Sequence, residues 1–226
     1  MIVNIVMLSY NRYMLMHQTI RTLFRNTPIE MFNLTIVDDE SAIPPEPHRG
    51  SFTMLRISKS KHILGMAKNL GVYWAERYWG RGDYLYFSDN DVYFTPHWLE
   101  KLIDTHQHHP HLGLLGGWNH PFHVEHRVDD GVRFQESLAG PSMLMRWEIW
   151  DRVGPLPVGA PGVCQGEDVA FSQHVLQDGW TIGTITPHVV FSTGVKNSNN
   201  EFAPGADLMV KELREVQATY RDLFWQ

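Results

Sequence analysis

The chain predicts an α/β fold, a mixed and mostly parallel central sheet flanked by helices. Three observations predict it. Short β-type apolar runs alternate with helix-period segments through residue 91, which implies parallel neighbours joined by right-handed crossovers. Hydrophobic residues make up 43% of the 226, enough to bury one sizeable core. Tyr10, Asp38 and Asp91 each fall just past a predicted strand end, the rim where open α/β sheets place their ligands.

Residues 2–8 are a continuous apolar run, as expected of a strand covered on both faces. A helix over 13–26 follows, with Met16, Ile20, Leu23 and Phe24 on one face, and it stops before Pro28. Residues 33–37 form a second strand that ends in Asp38-Asp39. A Pro-rich connection over 43–47 leads to a third strand at 53–57. Gly65 opens a helix through Trp79, with Ala67, Leu70, Trp74 and Tyr78 facing the core, and Gly80-Arg81-Gly82 ends it. Residues 84–87 make a fourth strand that runs into Ser88-Asp89-Asn90-Asp91.

The second half is less regular. Thr95-Pro96 reads as an N-cap and first-turn proline for a helix with Trp98, Leu99, Leu102 and Ile103 inward. Residues 112–115 are strand-like, whereas 118–133 are polar, His-rich and aperiodic, so they read as a loop. A strand at 142–146, a helical turn at 148–153, a helix at 167–178 closed by Gly179, and short strands at 181–185 and 189–191 follow. The final helix, 207–224, carries a stripe of Met209, Leu213, Val216, Tyr220 and Leu223. Core packing is the first reading of that stripe and a homodimer seam the second.

A formal net charge of -6 argues against a nucleic-acid partner, which needs a basic face. The single cysteine, Cys164, excludes an intrachain disulfide and fits a reducing compartment. Residues 2–8 lack a basic lead-in and are too short for a signal core or membrane span. The expectation is a cytoplasmic protein, with attachment at a membrane surface left open.

The apolar strand ending in Asp89-Asn90-Asp91 delivers carboxylates at i and i+2, which extended backbone points to one side. Two hard oxygen donors suit Mg²⁺ or Mn²⁺, with phosphate and water completing the shell; a polar turn is the plainer alternative. Gly166-Glu167-Asp168 sets acidic residues in a helix's first turn, where the dipole favours them. The neighbouring Gly162 and Gly166 suggest a loop that presents a carboxylate to a ligand, one able to take a proton from a hydroxyl. Thr186-Pro187-His188 places a nitrogen donor between two short strands. His106, His108, His109 and His111, then His120, His123 and His126, tempt a zinc reading. Pro110 and Pro121 interrupt them and no cysteine joins them, so they read as solvated or acceptor-facing histidines.

Taken in order, these segments resemble family 2-like glycosyltransferases of the GT-A fold, over nearly the whole chain. Leu8-Ser9-Tyr10-Asn11-Arg12 resembles the first strand-to-helix turn, whose Tyr packs near the nucleobase. Val37-Asp38-Asp39-Glu40-Ser41 is similar to the second-strand motif that hydrogen-bonds the base. Gly65-Met66-Ala67-Lys68-Asn69-Leu70-Gly71 resembles the segment that sets a basic residue near the phosphates or base, and Asp89-Asn90-Asp91 the metal motif. Residues 137–146 with 148–154 resemble the acceptor-side strand and turn.

The resemblance implies a single domain over 1–226, with a nucleotide-sugar half at 1–91 and an acceptor-binding, catalytic half at 92–226. It implies nucleotide contacts from Ser9, Tyr10, Arg12, Asp38, Asp39, Lys68, Asn69, Asp89 and Asn90. It implies Mn²⁺ or Mg²⁺ on Asp89, Asp91 and His188, with Asp168 as catalytic base and Glu167 beside it. A UDP-sugar is the first donor and a GDP-sugar the second; the acceptor is a glycan, a lipid-linked group or a protein.

Residues 166–179 with His188 also resemble polypeptide N-acetylgalactosaminyltransferases, retaining enzymes that carry Asn where this chain has Asp168. An ionisable Asp favours inversion. The chain lacks the Gln-x-x-Arg-Trp segment of processive synthases. It also lacks the glycine-rich basic loop of sugar-nucleotide pyrophosphorylases, reading Ser9-Tyr10-Asn11-Arg12-Tyr13 at that position. A non-catalytic carbohydrate- or nucleotide-binding protein would not require Asp89, Asp91, Asp168 and His188 together.

Overall fold

A computed structural model describes residues 1–45, 52–57, 63–118, 125–158 and 166–192. The expected helix at 207–224, and Gly162, Cys164, His120 and His123, lie outside these residues.

The described elements are β1 (Val3–Ser9), α1 (Tyr13–Asn26), β2 (Phe32–Asp39), β3 (Phe52–Ile57), α2 (Leu64–Trp79), β4 (Tyr84–Asp89), β5 (Val92–Phe94), α3 (Trp98–His108) and β6 (Leu112–Gly116). They continue with β7 (Glu125–Asp129), β8 (Val132–Gln135), β9 (Ser142–Arg146), α4 (Trp147–Val153), α5 (Glu167–Gln177), β10 (Thr181–Ile185) and β11 (Val190–Ser192). One large mixed sheet runs β3-β2-β1-β4-β9-β6-β10-β8-β7, and β5 pairs with β11 in a separate ribbon. Strands β3, β2, β1 and β4 are parallel neighbours, whereas β9 runs antiparallel to both β4 and β6.

Every residue of β1 is buried, because parallel strands pair on both sides and helices cover both faces. Val3, Ile5 and Met7 join the core that holds Met16, Ile20 and Leu23 of α1 with Trp98, Leu99 and Leu102 of α3. Val6 and Leu8 point the other way, to the core shared with Ala67, Val72 and Ala75 of α2 and Phe171 and Val175 of α5. The alternation of one strand thus fills two helix–sheet interfaces.

The four parallel strands stand where the sequence places them, but they run one or two residues further. Asp38, Asp39 and Asp89 therefore lie on strand ends and not in the loops beyond. Three expectations are corrected. The stretch 118–133 is not all loop: β7 and β8 form a hairpin through Asp130 and Gly131, both at positive φ. A tight Asp-Gly turn is the local signal for it. Thr95 is not the N-cap of α3; its hydroxyl donates to the Val189 carbonyl at 2.7 Å, and left-handed His97 precedes the helix. The inward face of α2 is Ala67, Lys68, Gly71, Val72 and Ala75, while Leu70 and Tyr78 are exposed. Gly71 decides this: a Cβ there would collide with Val6 and stand 2.7 Å from Val37 Cγ2. The helix backbone lies directly on the sheet, so its bulkier flank turns outward. Trp74 is half-buried and donates its indole N–H to Thr53 Oγ1 at 3.0 Å.

Candidate active site

Register brings the carboxylates to one edge. Ser9 of β1 lies beside Asp38 of β2, and Leu8 lies beside Asp89 of β4. Asp38 and Asp89 thus flank the end of β1 on either side.

The chain leaves β1 through Asn11 and Arg12, both left-handed at φ 52 and 54. Successive non-glycine residues in that region cost about 1–2 kcal/mol each, and a web of hydrogen bonds holds them. The Asn11 N–H donates to Ser41 Oγ at 2.7 Å, and the Ala42 N–H donates to Asn11 Oδ1 at 3.0 Å. The Asn90 amide donates to the Asn11 carbonyl at 3.0 Å. Thr19 of α1 holds the acidic turn from the other side. Its hydroxyl donates to the Asn90 carbonyl and accepts the Val92 N–H, both at 3.0 Å. The turn geometry places the Arg12 guanidinium on the Asp91 carboxylate.

Asp38 is fully buried. Neither of its oxygens accepts a hydrogen bond, and among the described residues it pairs with Arg56 Nε at 3.6 Å. Arg56 lies opposite it on β3 and also donates to the Ser41 carbonyl at 2.9 Å. A buried carboxylate so poorly satisfied asks for a donor. Tyr10 is 45% exposed at the same corner.

Lys68, expected at the nucleotide, lies inside the protein. Its side chain is 1% exposed, and its ammonium donates to Glu167 Oε1 at 2.9 Å. Burial works against that charge, but Glu167, Asp89 and Asp168 together outweigh it and hold the lysine above its usual pKa. Asp168 accepts the Gly140 N–H on Oδ2 and the Val169 N–H on Oδ1, both at 2.8 Å. Asn69 is turned to structure, exchanging hydrogen bonds with both backbone groups of Leu156 at 2.9 and 3.0 Å. Arg56 escaped the sequence reading, because it lies beside the base motif only through strand register; Gly140, inside the acceptor-side segment, was not singled out because it works through its backbone.

Burial pushes Asp89 up to about 6; Lys68 opposes that shift, and Asp91, Glu167 and Asp168 reinforce it. Asp91 is also raised by burial, with Arg12 opposing. Among the described residues, Asp89, Asp91, Glu167 and Asp168 thus share one region with the cations Lys68 and Arg12. A divalent cation fits that imbalance. Asp89 and Asp91 supply hard oxygens, and a positive charge between them would relieve the repulsion that raises Asp89.

Among the described residues His188 does not join them in a three-ligand group. Antiparallel pairing sets Ser192 opposite Val92, next to Asp91, and Val190 opposite Phe94. The Thr95 N–H reaches the Val189 carbonyl at 3.1 Å, which continues the ribbon toward His188. Its ring packs edge-on against Phe191. Among the described residues no three His, Cys, Asp or Glu side chains converge as a metal group, so an ion here would rest on the Asp89–Asp91 pair and the ligand's own oxygens.

Comparison with known proteins adds a family. The model of glycosyl transferase family 2 matches residues 4–150. Among solved structures, Staphylococcus aureus TarS 1-349 in complex with UDP-GlcNAc is similar with a TM-score of 0.65 at 16% identity, covering 92% of this chain and 63% of that one. The mannosyltransferase PcManGT from Pyrobaculum calidifontis, in complex with GDP-Man and Mn²⁺, gives 0.65 at 13%, covering 88% and 58%. GalNAc-T7 with UDP, GalNAc and Mn²⁺ gives 0.62 at 12%, covering 81% and 42%. The chain therefore spans less than two thirds of the length of each of these structures. No curated protein matches it. No described helix is long and apolar enough to cross a membrane.

Proposed function

The chain belongs to glycosyl transferase family 2 and has the GT-A fold, and from that premise we propose that it is a glycosyltransferase that moves a sugar from a UDP-sugar to an acceptor hydroxyl with inversion. A GDP-sugar is the second donor. One observation carries the reading: Lys68, buried beneath the strand ends, bonds Glu167 at 2.9 Å and lies beside Gly140 together with Asp168, so the acidic start of α5 stands against the segment that carries Asp89.

Residues 1–91 form the donor half in this reading and 92–226 the acceptor half. Asp38 accepts an N–H of the base, Tyr10 lies along the ring, and Ser9 and Asp39 border it. Arg12, half-exposed on Asp91, stands where a diphosphate would meet it. Asp89 and Asp91 would hold Mn²⁺ or Mg²⁺, which when bound supplies positive charge for the leaving diphosphate. Asp168 is the base. The acceptor oxygen bonds the anomeric carbon as the carbon–phosphate oxygen bond breaks; the proton goes to Asp168 and the electron pair leaves with the diphosphate. Its two backbone N–H bonds orient the carboxylate, and each oxygen keeps a lone pair for that proton.

The uridine ligands of the TarS and GalNAc-T7 structures favour UDP, and the PcManGT complex keeps GDP second. A thermal-shift screen of UDP and GDP with and without Mn²⁺ tests the reading. A ligand at a hundred times its Kd stabilises by about 2.7 kcal/mol, and a chain that responds to neither nucleotide is not a nucleotide-sugar transferase.

A further inference from the structure

We infer that Lys68 is a positioning residue of the transfer, a buried strut that ties Glu167 and Asp168 to the Asp89–Asp91 side and fixes the span between base and leaving group. The inference rests on the roles just proposed for those four carboxylates. At 1% side-chain exposure the ammonium has no surface to offer a phosphate, so the expected nucleotide contact is replaced by an internal one.

The geometry suits a strut. Lys68 sits on the face of α2 that lies on β1 and β2 through Gly71, so its backbone is fixed relative to the strand ends that carry Asp38 and Asp89. Glu167 is the first residue of α5, and its bond to Lys68 ties the start of that helix to the donor half. Asp168 follows Glu167 and is anchored again by the Gly140 N–H. Gly140 also leaves room for the ammonium: a Cβ there would stand 2.7 Å from Lys68 Nζ and 3.4 Å from Asp168 Oδ2. A lone buried charge is costly and a paired one tolerable only with good geometry, so a lysine kept here among carboxylates sets position and charge together.

Two variants separate those roles. Lys68→Met removes the charge at similar length. Without nucleotide, calorimetry should show Mn²⁺ binding about ten-fold tighter, because one cation near Asp89 is gone. Release of UDP from the UDP-sugar that shifts the wild type most should fall about 10²-fold in kcat with KM little changed, as for a displaced catalytic group. Gly140→Ala keeps every charge but displaces the flexible end of Lys68; kcat should fall while Mn²⁺ affinity stays at the wild-type value. Lys68→Arg should keep wild-type Mn²⁺ affinity. Should Lys68→Met fail to fold, Gly140→Ala decides alone, and unchanged kcat in it overturns the inference. Wild-type Mn²⁺ affinity and kcat in folded Lys68→Met overturn it equally. Asp91→Ala separates the underlying reading: if that variant still binds Mn²⁺ normally the metal assignment fails, whereas its loss beside an unaffected Lys68→Met sinks the strut alone.

Discussion

Asp38 is the side chain whose removal should speak most directly about the donor. Its oxygens are buried and accept no hydrogen bond, so a base N–H would gain an otherwise missing partner. Losing an acceptor for a buried donor costs about 1–3 kcal/mol, and Asp38→Ala should weaken UDP binding by about ten-fold or more, measured by calorimetry. Equal binding would remove Asp38 from the base site. His106 gives the pH expectation. Burial lowers its pKa to about 4, with Arg146 and His109 adding to the effect, and its ring lies edge-on to Tyr84. A depressed folded pKa contributes stability that is full above the ordinary value of about 6.5 and is lost as pH falls through about 4. Urea denaturation at pH 7 and pH 4.5 should therefore show a smaller loss for His106→Leu than for the wild type; equal losses would mean another group governs the acid limb. The positions of Asp38 and Asp89 at strand ends, and of Asp91 in the turn beyond, were legible because their signal is local: an apolar run, then acids at fixed spacing. The Lys68–Glu167 bond was not, since it joins residues 99 apart and no periodicity encodes such a pair. The place of His188 was not legible for the same reason, because it follows from the pairing of β11 with β5, a strand of only three residues.

Among the elements, α2 shows how packing overrides a helical wheel. The expected face of Ala67, Leu70, Trp74 and Tyr78 chose the large apolar residues, whereas the observed face uses the small ones, because Gly71 brings the helix axis down onto Val6 and Val37. Gly71→Ala forces a methyl into that contact, and overpacking of this kind costs about 1–3 kcal/mol. Denaturant unfolding should show that loss, even though Ala is the better helix former by about 1 kcal/mol. A stabilised variant would mean the helix stands off the sheet. The same close approach is what buries Lys68 one turn earlier, so Gly71→Ala should also disturb the carboxylate cluster, which a neutral packing change elsewhere on α2 would not. The β7–β8 hairpin was hidden for a different reason. Its Asp130-Gly131 turn was present in the sequence, but strands of five and four residues at the sheet's end alternate too briefly to stand out from the histidine-rich stretch before them.

At the scale of the molecule, the proposed donor and acceptor halves would meet where a displacement needs them to. The parallel strands β2 and β4 end at Asp39 and Asp89, while α5 begins at Glu167, and Lys68 bonds that first residue. A base for inversion must reach the attacking hydroxyl on the side of the sugar away from the diphosphate, and Asp168 is the carboxylate proposed for that place. Asp168→Asn keeps the acceptor for the Gly140 N–H on one atom but cannot take a proton. If Asp168 is the base, kcat should fall by about 10²–10⁴-fold, with UDP and Mn²⁺ affinities unchanged. If it serves only to bind Gly140 and Val169, the variant should lose stability and keep most of its turnover, since an amide oxygen accepts one N–H nearly as well as a carboxylate does. The configuration of the product, read by NMR of the anomeric proton, is independent of both. Net retention would discard the single displacement even with Asp168 essential, and would move the chemistry toward that of the retaining N-acetylgalactosaminyltransferases its C-terminal half resembles.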